Sequence, residues 1–359
     1  MSELLDFKCP NCGSALRFDS ESQTVKCPYC DTEINVDAFK DEDESLKADS
    51  LDWEVPNAGQ AWEDEEKEHI RVFTCESCGG EIVCDENTVA TKCPYCDNNV
   101  VLRGNLMGYL KPDFVIPFKL DKEQAKEGYL RHLEKKKFLP DVFKDKNHID
   151  EIKGVYVPFW LYECNVDADV KYTATKVSSW ADKNNIYTRT AYYRVLRSGS
   201  ISFDNVPVDG SSSMADELMQ SIEPYDFREA VDFKTAYLAG YLADKYDVNS
   251  EQAVPVANSR IKLSTEEAFR NTVGGYASVS PEGSSVRLEN GTARYALYPV
   301  WILNTTYEGR KYTFAMNGQT GKFVGNLPLD KKKYRNNTLM VGAIASVLVF
   351  AIEMIALLV

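Results

Sequence analysis

The chain carries two stretches of one design: Cys9-Pro-Asn-Cys12 followed by Cys27-Pro-Tyr-Cys30, and Cys75-Glu-Ser-Cys78 followed by Cys93-Pro-Tyr-Cys96. In each stretch 14 residues separate the two Cys-x2-Cys pairs. Each pair bends the backbone so that two sulfurs aim at one point, and two pairs form the tetrahedron of thiolates that Zn²⁺ prefers. The spacing predicts two structural zinc ribbons, whose eight ligands are Cys9, Cys12, Cys27, Cys30, Cys75, Cys78, Cys93 and Cys96.

Two other interpretations of the cysteines fit the sequence less well. Disulfides would need an oxidising compartment, and residues 1–8 are polar and acidic, without the apolar core of a signal peptide. A catalytic zinc site keeps one position open for water or substrate, whereas four cysteines fill every position. Of the two remaining cysteines, Cys84 is expected to be a small buried apolar side chain and not a fifth ligand, and Cys164 is expected to be unreactive.

The negative charge of the chain is concentrated in one segment. The net charge is -14 over 359 residues, and residues 41–69 alone hold 12 acidic and 2 basic side chains. Both predicted ribbons are themselves slightly acidic and have no basic stripe. Because nucleic-acid binding depends mainly on Lys and Arg that neutralise phosphates, this distribution favours a protein partner and argues against nucleic acid.

The order of segments predicts five parts: zinc ribbon 1 over 1–40, an acidic linker over 41–70, zinc ribbon 2 over 71–103, an α+β domain over 104–335, and a transmembrane tail anchor over 336–359. In the α+β domain, runs of aromatic and β-branched residues over 154–203 predict a mostly antiparallel sheet. Asp121 is expected to begin a helix, and 237–246 also has helical spacing. Two linker tryptophans, Trp53 and Trp62, are expected to dock on a neighbouring domain or on a partner.

The C-terminal stretch is the second strong signal. Residues 338–359 contain one charged residue, Glu353, and a helix of 22 residues would span roughly 33 Å. Four bases lie within 331–335, just before it, and positive residues stay on the cytoplasmic side. The pattern predicts a single-pass tail anchor in the cell membrane, with the rest of the chain cytoplasmic. A buried core helix is the alternative, and the role of Glu353 stays open.

No catalytic constellation is evident in the sequence. The chain has three histidines, His69, His132 and His148, and none stands in a motif with catalytic spacing. It lacks the Gly-x4-Gly-Lys-Ser/Thr phosphate loop, the Gly-x-Ser-x-Gly nucleophile motif and the His-Glu-x-x-His metalloprotease motif. We expect a protein that is not an enzyme.

Several stretches together resemble one family. The ribbons 8–13 and 26–31 look like a TFIIB-type zinc ribbon, and Gly154-Val-Tyr-Val-Pro-Phe-Trp160, Tyr237 to Tyr246 and Met316 to Gly325 fit the same longer family. With the predicted tail, the chain resembles the YdjG-like zinc-ribbon membrane proteins of Gram-positive bacteria. The resemblance implies a membrane-stress neighbourhood and a partner that is SPFH-domain (flotillin-like) or PspA-like. The eight cysteines are the only residues to which we assign a role from this resemblance.

Two functions of different classes follow from these features. The first is a membrane-anchored zinc-ribbon adaptor that recruits an SPFH/flotillin-like or PspA-like partner to the inner face of the membrane. The second is a membrane-tethered regulator whose ribbons contact nucleic acid or polymerase, which rests on the ribbon type alone. An accessory subunit of a membrane enzyme or transporter is a weaker third.

Overall fold

The computed structural model describes residues 9, 14, 16–19, 22, 24–35, 49–51, 53, 58–85, 92–104, 109–134 and 136–358. The chain divides into two compact units, each built from three segments. Unit 1 comprises Met1–Val55, Tyr162–Val206 and Val254–Thr292. Unit 2 comprises Pro56–Leu161, Pro207–Ala253 and Ala293–Val359.

The described strands form two sheets. The smaller, in unit 1, is antiparallel and has the order β1 (Arg17–Asp19), β2 (Thr24–Lys26), β3 (Glu33–Asn35). The larger has eleven strands: β4 (Ile70–Cys75), β5 (Glu81–Asp85), β6 (Val100–Gly104), β7 (Phe114–Val115), β8 (Lys153–Ala181), β9 (Ile186–Asp209), β10 (Val231–Asp232), β11 (Leu242–Asp244), β12 (Ser278–Tyr307), β13 (Arg310–Asn317) and β14 (Phe323–Gly325).

The larger sheet has the order β10-β7-β12-β8-β11-β5-β4-β6, with β9 beside β8, β13 beside β12, and β14 beside β13. Most of the described pairings in this sheet are antiparallel, while β11 pairs with β8 and β12 pairs with β7 in parallel. The strands of the second cysteine quartet, β4 to β6, therefore continue the same sheet as β8 and β12.

The described helices are fewer than the strands: α1 (Asp64–Glu68), α2 (Lys122–Glu134), α3 (Lys146–Ile149), α4 (Asp216–Ile222), α5 (Ser250–Arg270) and α6 (Lys331–Leu358). The predicted start of α2 is confirmed. The Asp121 carboxylate accepts a hydrogen bond from the Gln124 N–H at 2.8 Å, and the Gln124 side chain accepts one from the Asp121 N–H at 2.9 Å. This reciprocal pair satisfies two amide groups that the first turn of a helix leaves unbonded.

The predicted helix over 237–246 is wrong. A 3₁₀ turn covers Thr235–Leu238, and β11 follows. Ala243 pairs with Val83 of β5 on one side and with Tyr156 of β8 on the other. The segment is extended because it fills the position between these two strands, which outweighs its local helical spacing.

The burial of β8 differs between the two units. In unit 2 every residue from Val155 to Leu161 is buried, as expected for a strand covered on both faces. Between Cys164 and Ala174, in unit 1, the even-numbered residues are the buried ones. This alternation is typical of a strand with only one face on a core.

Each linker tryptophan docks inside its own unit. In unit 1, the Trp53 ring meets Tyr162 edge to face at 5.0 Å, and its N–H donates to the Asn258 side-chain oxygen at 2.7 Å. In unit 2, Trp62 is buried and meets Phe233 at 5.8 Å. Docking in cis therefore accounts for both residues.

The predicted fold class is wrong in its main features. We expected two small zinc-ribbon modules beside an α+β domain, followed by a transmembrane helix. The protein is mostly β, and its second cysteine quartet belongs to the large sheet. Long-range strand pairing causes this difference, because β5 pairs with β11, which lies about 160 residues further along the chain.

The predicted membrane anchor is also wrong. Among the residues that the structure describes, no helix combines the length and the apolar character needed to cross a membrane. Helix α6 begins at Lys331, so the lysine-rich segment 331–335 forms its first turns. Three further predictions depended on this helix and are therefore also wrong: a tail-anchored protein, a single-pass topology and a cell-membrane location.

Candidate metal centres

The second cysteine quartet forms a closed cluster of four sulfurs. The Sγ atoms of Cys75, Cys78, Cys93 and Cys96 all lie within 4.8 Å of one another. Cys75 and Cys96 are 3.4 Å apart, and Cys78 and Cys93 are 3.7 Å apart. These distances far exceed the roughly 2.05 Å of a disulfide bond, so the four thiols remain available as ligands. The cluster can hold a metal ion.

The first quartet has the same arrangement as far as it is described. The sulfurs of Cys9, Cys27 and Cys30 form a second group that can hold a metal ion, and those of Cys9 and Cys30 are 3.5 Å apart. Cys12, the fourth predicted ligand, lies outside the described residues. Cys9 and Cys27 are buried, and Cys30 is partly buried.

The first cysteine of each Cys-x2-Cys pair makes the same backbone hydrogen bond. The N–H of the first cysteine donates to the carbonyl five residues later: Cys9 to Ser14 at 2.7 Å, Cys27 to Thr32 at 2.9 Å, Cys75 to Gly80 at 2.9 Å and Cys93 to Asn98 at 2.8 Å. The residue directly after the second cysteine has a positive φ in the three pairs where it is described, namely Asp31, Gly79 and Asp97. Gly, Asp and Asn adopt this left-handed conformation at low cost. The turn follows from local sequence.

The thiols of the second cluster differ in how readily they ionise. Burial raises the pKa of Cys78 and of Cys93. Burial also acts against ionisation of Cys96, but hydrogen bonds from the backbone and side chain of Asn98, together with those from the Cys75 and Cys78 thiols, outweigh it and lower the pKa of that thiol to about 7. A metal ion binds thiolates, so its binding releases the protons that the buried thiols retain.

The knuckle at 93–97 is fixed to the core of unit 2. The Asn304 side-chain N–H donates to the Pro94 carbonyl at 2.6 Å. The Lys153 ammonium donates to the Cys93 carbonyl at 3.2 Å and to the Asp97 carboxylate at 3.1 Å. Tyr95 is buried in the same apolar core as the cluster. The second cluster is thus an integral part of the large sheet.

The matching knuckle of the first cluster is exposed. The hexapeptide 26–31, Lys-Cys-Pro-Tyr-Cys-Asp, is identical to 92–97. Yet Tyr29 is 82% exposed whereas Tyr95 is 3% exposed. Phe18, in β1 of the same small sheet, is 56% exposed. The first cluster therefore presents two aromatic side chains to solvent, at positions that the second cluster does not expose.

Sequence reasoning missed the residues that hold the second cluster. Lys153 and Asn304 lie about 60 and 210 residues from the knuckle that they contact, and neither stands in a recognisable motif. Because β8 and β12 bring them to the cluster, only the sheet topology reveals them. The one local signal was the tyrosine that recurs in both Cys-Pro-Tyr-Cys motifs, as Tyr29 and Tyr95, since an aromatic side chain beside the ligands can pack against a core.

The burial predicted for Cys84 is confirmed. Cys84, in β5, and Cys164, in β8, are both buried. Burial raises the pKa of each thiol to about 11. Neither lies in a cluster of ligands among the described residues, so both are neutral packing side chains at physiological pH.

A cavity of about 570 Å³ opens beside the second cluster in unit 2. Its walls include Cys78, Cys96 and Lys245. Next to it the carboxyl group of Asp244 is fully buried and accepts a hydrogen bond from the Ser211 hydroxyl. Burial raises the pKa of Asp244 to about 7, while that hydrogen bond acts in the opposite direction. A carboxyl group with this environment is protonated over part of the physiological range.

The comparisons with known proteins identify the family. No protein-family model matches the chain, and no solved structure matches it. The chain is 33% identical over 330 residues to a Bacillus subtilis (strain 168) protein whose name is "Uncharacterized protein YdjG", and the match covers 92% of both chains. With this identity over nearly the full length, the chain belongs to the YdjG family.

Proposed function

We propose that the protein is a non-enzymatic adaptor, held together by two structural Zn²⁺ ions, that binds an SPFH/flotillin-like or PspA-like protein. The partner class comes from the family resemblance. The observation that supports an adaptor is the contrast between the two knuckles. The knuckle of the second cluster is bonded to the core of unit 2. The first cluster exposes Phe18 and Tyr29, which form the proposed protein-binding surface.

The geometry of the second cluster fits zinc. Four thiolates at about 2.3 Å from one Zn²⁺ in a tetrahedron lie roughly 3.8 Å apart. The distances of 3.4 and 3.7 Å between its sulfur pairs agree with this value. Cysteine supplies every ligand, so no coordination position is left for water or substrate, which favours a structural role. When bound, the ion supplies folding free energy to segments that have small cores of their own.

The exposed aromatic pair suits protein recognition. Tyr and Phe provide large contact areas with few rotatable bonds, and they are enriched in interface hot spots. The ribbon sequence has few basic residues, so the second candidate, a nucleic-acid or polymerase regulator, gains no support from the described surface.

The test is chemical crosslinking in cells, followed by purification of the full-length protein and identification of its SPFH or PspA-like partner. Phe18→Ala/Tyr29→Ala should abolish recovery of that partner while the purified chain keeps two zinc ions. Leu263→Ala, which truncates another exposed apolar side chain, is the matched control and should leave recovery unchanged. Equal recovery with Phe18→Ala/Tyr29→Ala would refute the proposed surface. Recovery of polymerase or nucleic acid in place of such a partner would refute the adaptor.

A further inference from the structure

The strands β8 and β9 are joined by a hairpin whose side chains do not form a core. Residues 176–190, here called the arm, are all exposed. An isolated two-stranded hairpin is marginally stable in water. The arm nevertheless carries large apolar side chains at its end, among them Trp180 at 54% and Ile186 at 80% exposure. Exposed apolar groups gathered in this way mark interaction sites.

The turn of the arm is fixed by Asp182. Its carboxylate accepts hydrogen bonds from the backbone N–H groups of Asn184 at 2.8 Å and Asn185 at 2.7 Å, and from the Tyr187 hydroxyl at 3.0 Å. These bonds hold the pKa of Asp182 below its ordinary value. The arm is therefore preorganised, which lowers the entropy that binding would cost.

One face of the arm combines aromatic rings with cations. The rings of Trp180 and Tyr187 are stacked, with centroids 5.8 Å apart and planes at 14°. Alternation along the strands places Lys176 and Arg189 on the same face. Lys176 lies over the Tyr193 ring at 5.4 Å, which continues the aromatic surface towards the base of the arm.

The charge of the arm is positive and not neutralised. Residues 176–190 hold three bases, Lys176, Lys183 and Arg189, and one acid, Asp182. The Asp182 oxygens are occupied within the turn. Among the described residues, neither Lys183 nor Arg189 lies within ion-pair distance of a carboxylate. This local charge stands out in a chain with a net charge of -14.

We propose that the arm is a docking site for an extended acidic segment of a protein partner. An apolar side chain of that segment packs on the Trp180–Tyr187 stack, and its carboxylates pair with Lys183 and Arg189. This surface is separate from the exposed aromatics of the first cysteine cluster, so the inference stands independently of the proposed function. Three cations are few for phosphate-dependent binding of nucleic acid, which favours a protein segment.

The experiment uses the full-length protein and a fluorescein-labelled peptide, Glu-Glu-Phe-Glu-Glu-Leu-Glu-Glu, in an anisotropy titration. Trp180→Ala/Tyr187→Ala should weaken binding about tenfold or more, as expected for a truncated aromatic hot spot. Lys183→Glu/Arg189→Glu should weaken it by a similar factor and remove its dependence on salt. Trp180→Phe, which keeps a stacking ring, should restore most of the affinity.

The matched control reverses two exposed charges elsewhere. Lys144→Glu/Lys146→Glu should leave peptide affinity unchanged, since both side chains are exposed in unit 2. Circular dichroism and melting temperature should be unchanged in all variants, because the arm contributes no core. Equal affinity across the arm variants and the control would overturn the proposal.

Two other occupants would also overturn it. A twenty-residue oligothymidylate that binds the arm more tightly than the peptide would identify single-stranded nucleic acid as its ligand. Light scattering that shows a dimer of the native chain, and monomers for Trp180→Ala/Tyr187→Ala, would identify a second copy.

Discussion

Cys93→Ser and Cys27→Ser form a matched pair of perturbations. Both residues are fully buried and occupy the same place in identical hexapeptides, so the local change is the same. Their surroundings differ, because Cys93 lies in the large apolar core of unit 2 whereas Cys27 follows β2 of the three-stranded sheet. We therefore expect unequal effects on the fold.

The expected magnitude for Cys93→Ser is large. A structural zinc site supplies about 10–16 kcal/mol to a ribbon that folds with it, while a whole domain is stable by about 5–15 kcal/mol. Loss of the ion also releases the knuckle, so Tyr95 loses its burial, worth about 2 kcal/mol, and the Pro94 carbonyl loses its bond from Asn304. We expect Cys93→Ser to unfold β4 to β6 and to destabilise the neighbouring β11 and β8.

Hydrogen exchange with mass spectrometry, together with metal analysis, tests this expectation. Each variant should retain one zinc ion per chain. In Cys93→Ser, amide protection over 153–161 should fall sharply. In Cys27→Ser, protection there should match the native chain, and exchange should rise only over 17–35. Native protection over 153–161 in Cys93→Ser, with one ion bound, would refute the conclusion that the second cluster supports the sheet.

Three further predictions concern single side chains. Asp244→Asn should flatten the pH dependence of the free energy of unfolding. In the native chain the folded carboxyl has a pKa near 7, against an ordinary 3.8, so it keeps a proton that the unfolded chain releases. The free energy of unfolding of the native chain therefore falls by up to about 4 kcal/mol as pH rises from 4 to 7. Urea unfolding at pH 4 to 7 measures this, and an identical pH profile for the variant would contradict it. Asn304→Ala should cost about 1–3 kcal/mol because the Pro94 carbonyl stays buried without its donor, and a chelator should remove metal from the second cluster faster; release at the native rate would contradict the role of this bond. Trp53→Ala should destabilise unit 1 by about 2 kcal/mol through its lost packing on Tyr162, measured as a lower melting temperature; an unchanged value would show that the docked ring contributes nothing.

Part of the site could be predicted from the sequence because it depends on short-range geometry. The spacing identified both cysteine clusters and separated Cys84 and Cys164 from the ligands. Asp121 was correctly identified as the start of α2, since its capping partner lies three residues away. These features involve neighbours along the chain, and the sequence contains all of their partners.

The failures share a different cause. The segment 237–246 has helical spacing but forms β11, because two distant strands leave room for a third. The apolar run over 338–359 suggested a membrane span, but α6 includes the lysines before it, and the described residues contain no helix able to cross a membrane. Hydropathy and periodicity describe a segment by itself and do not report what the rest of the chain packs against it.

The repeated hexapeptide distinguishes what the local sequence determines from what the tertiary structure determines. Lys-Cys-Pro-Tyr-Cys-Asp dictates the same knuckle twice, with the same hydrogen bond and the same positive φ at Asp31 and Asp97, because those forces act within six residues. The sequence by itself thus determined two sulfur clusters. Only the large sheet decided that Tyr95 is buried and Tyr29 exposed, because β8 and β12 bring an apolar core and polar partners to one knuckle alone.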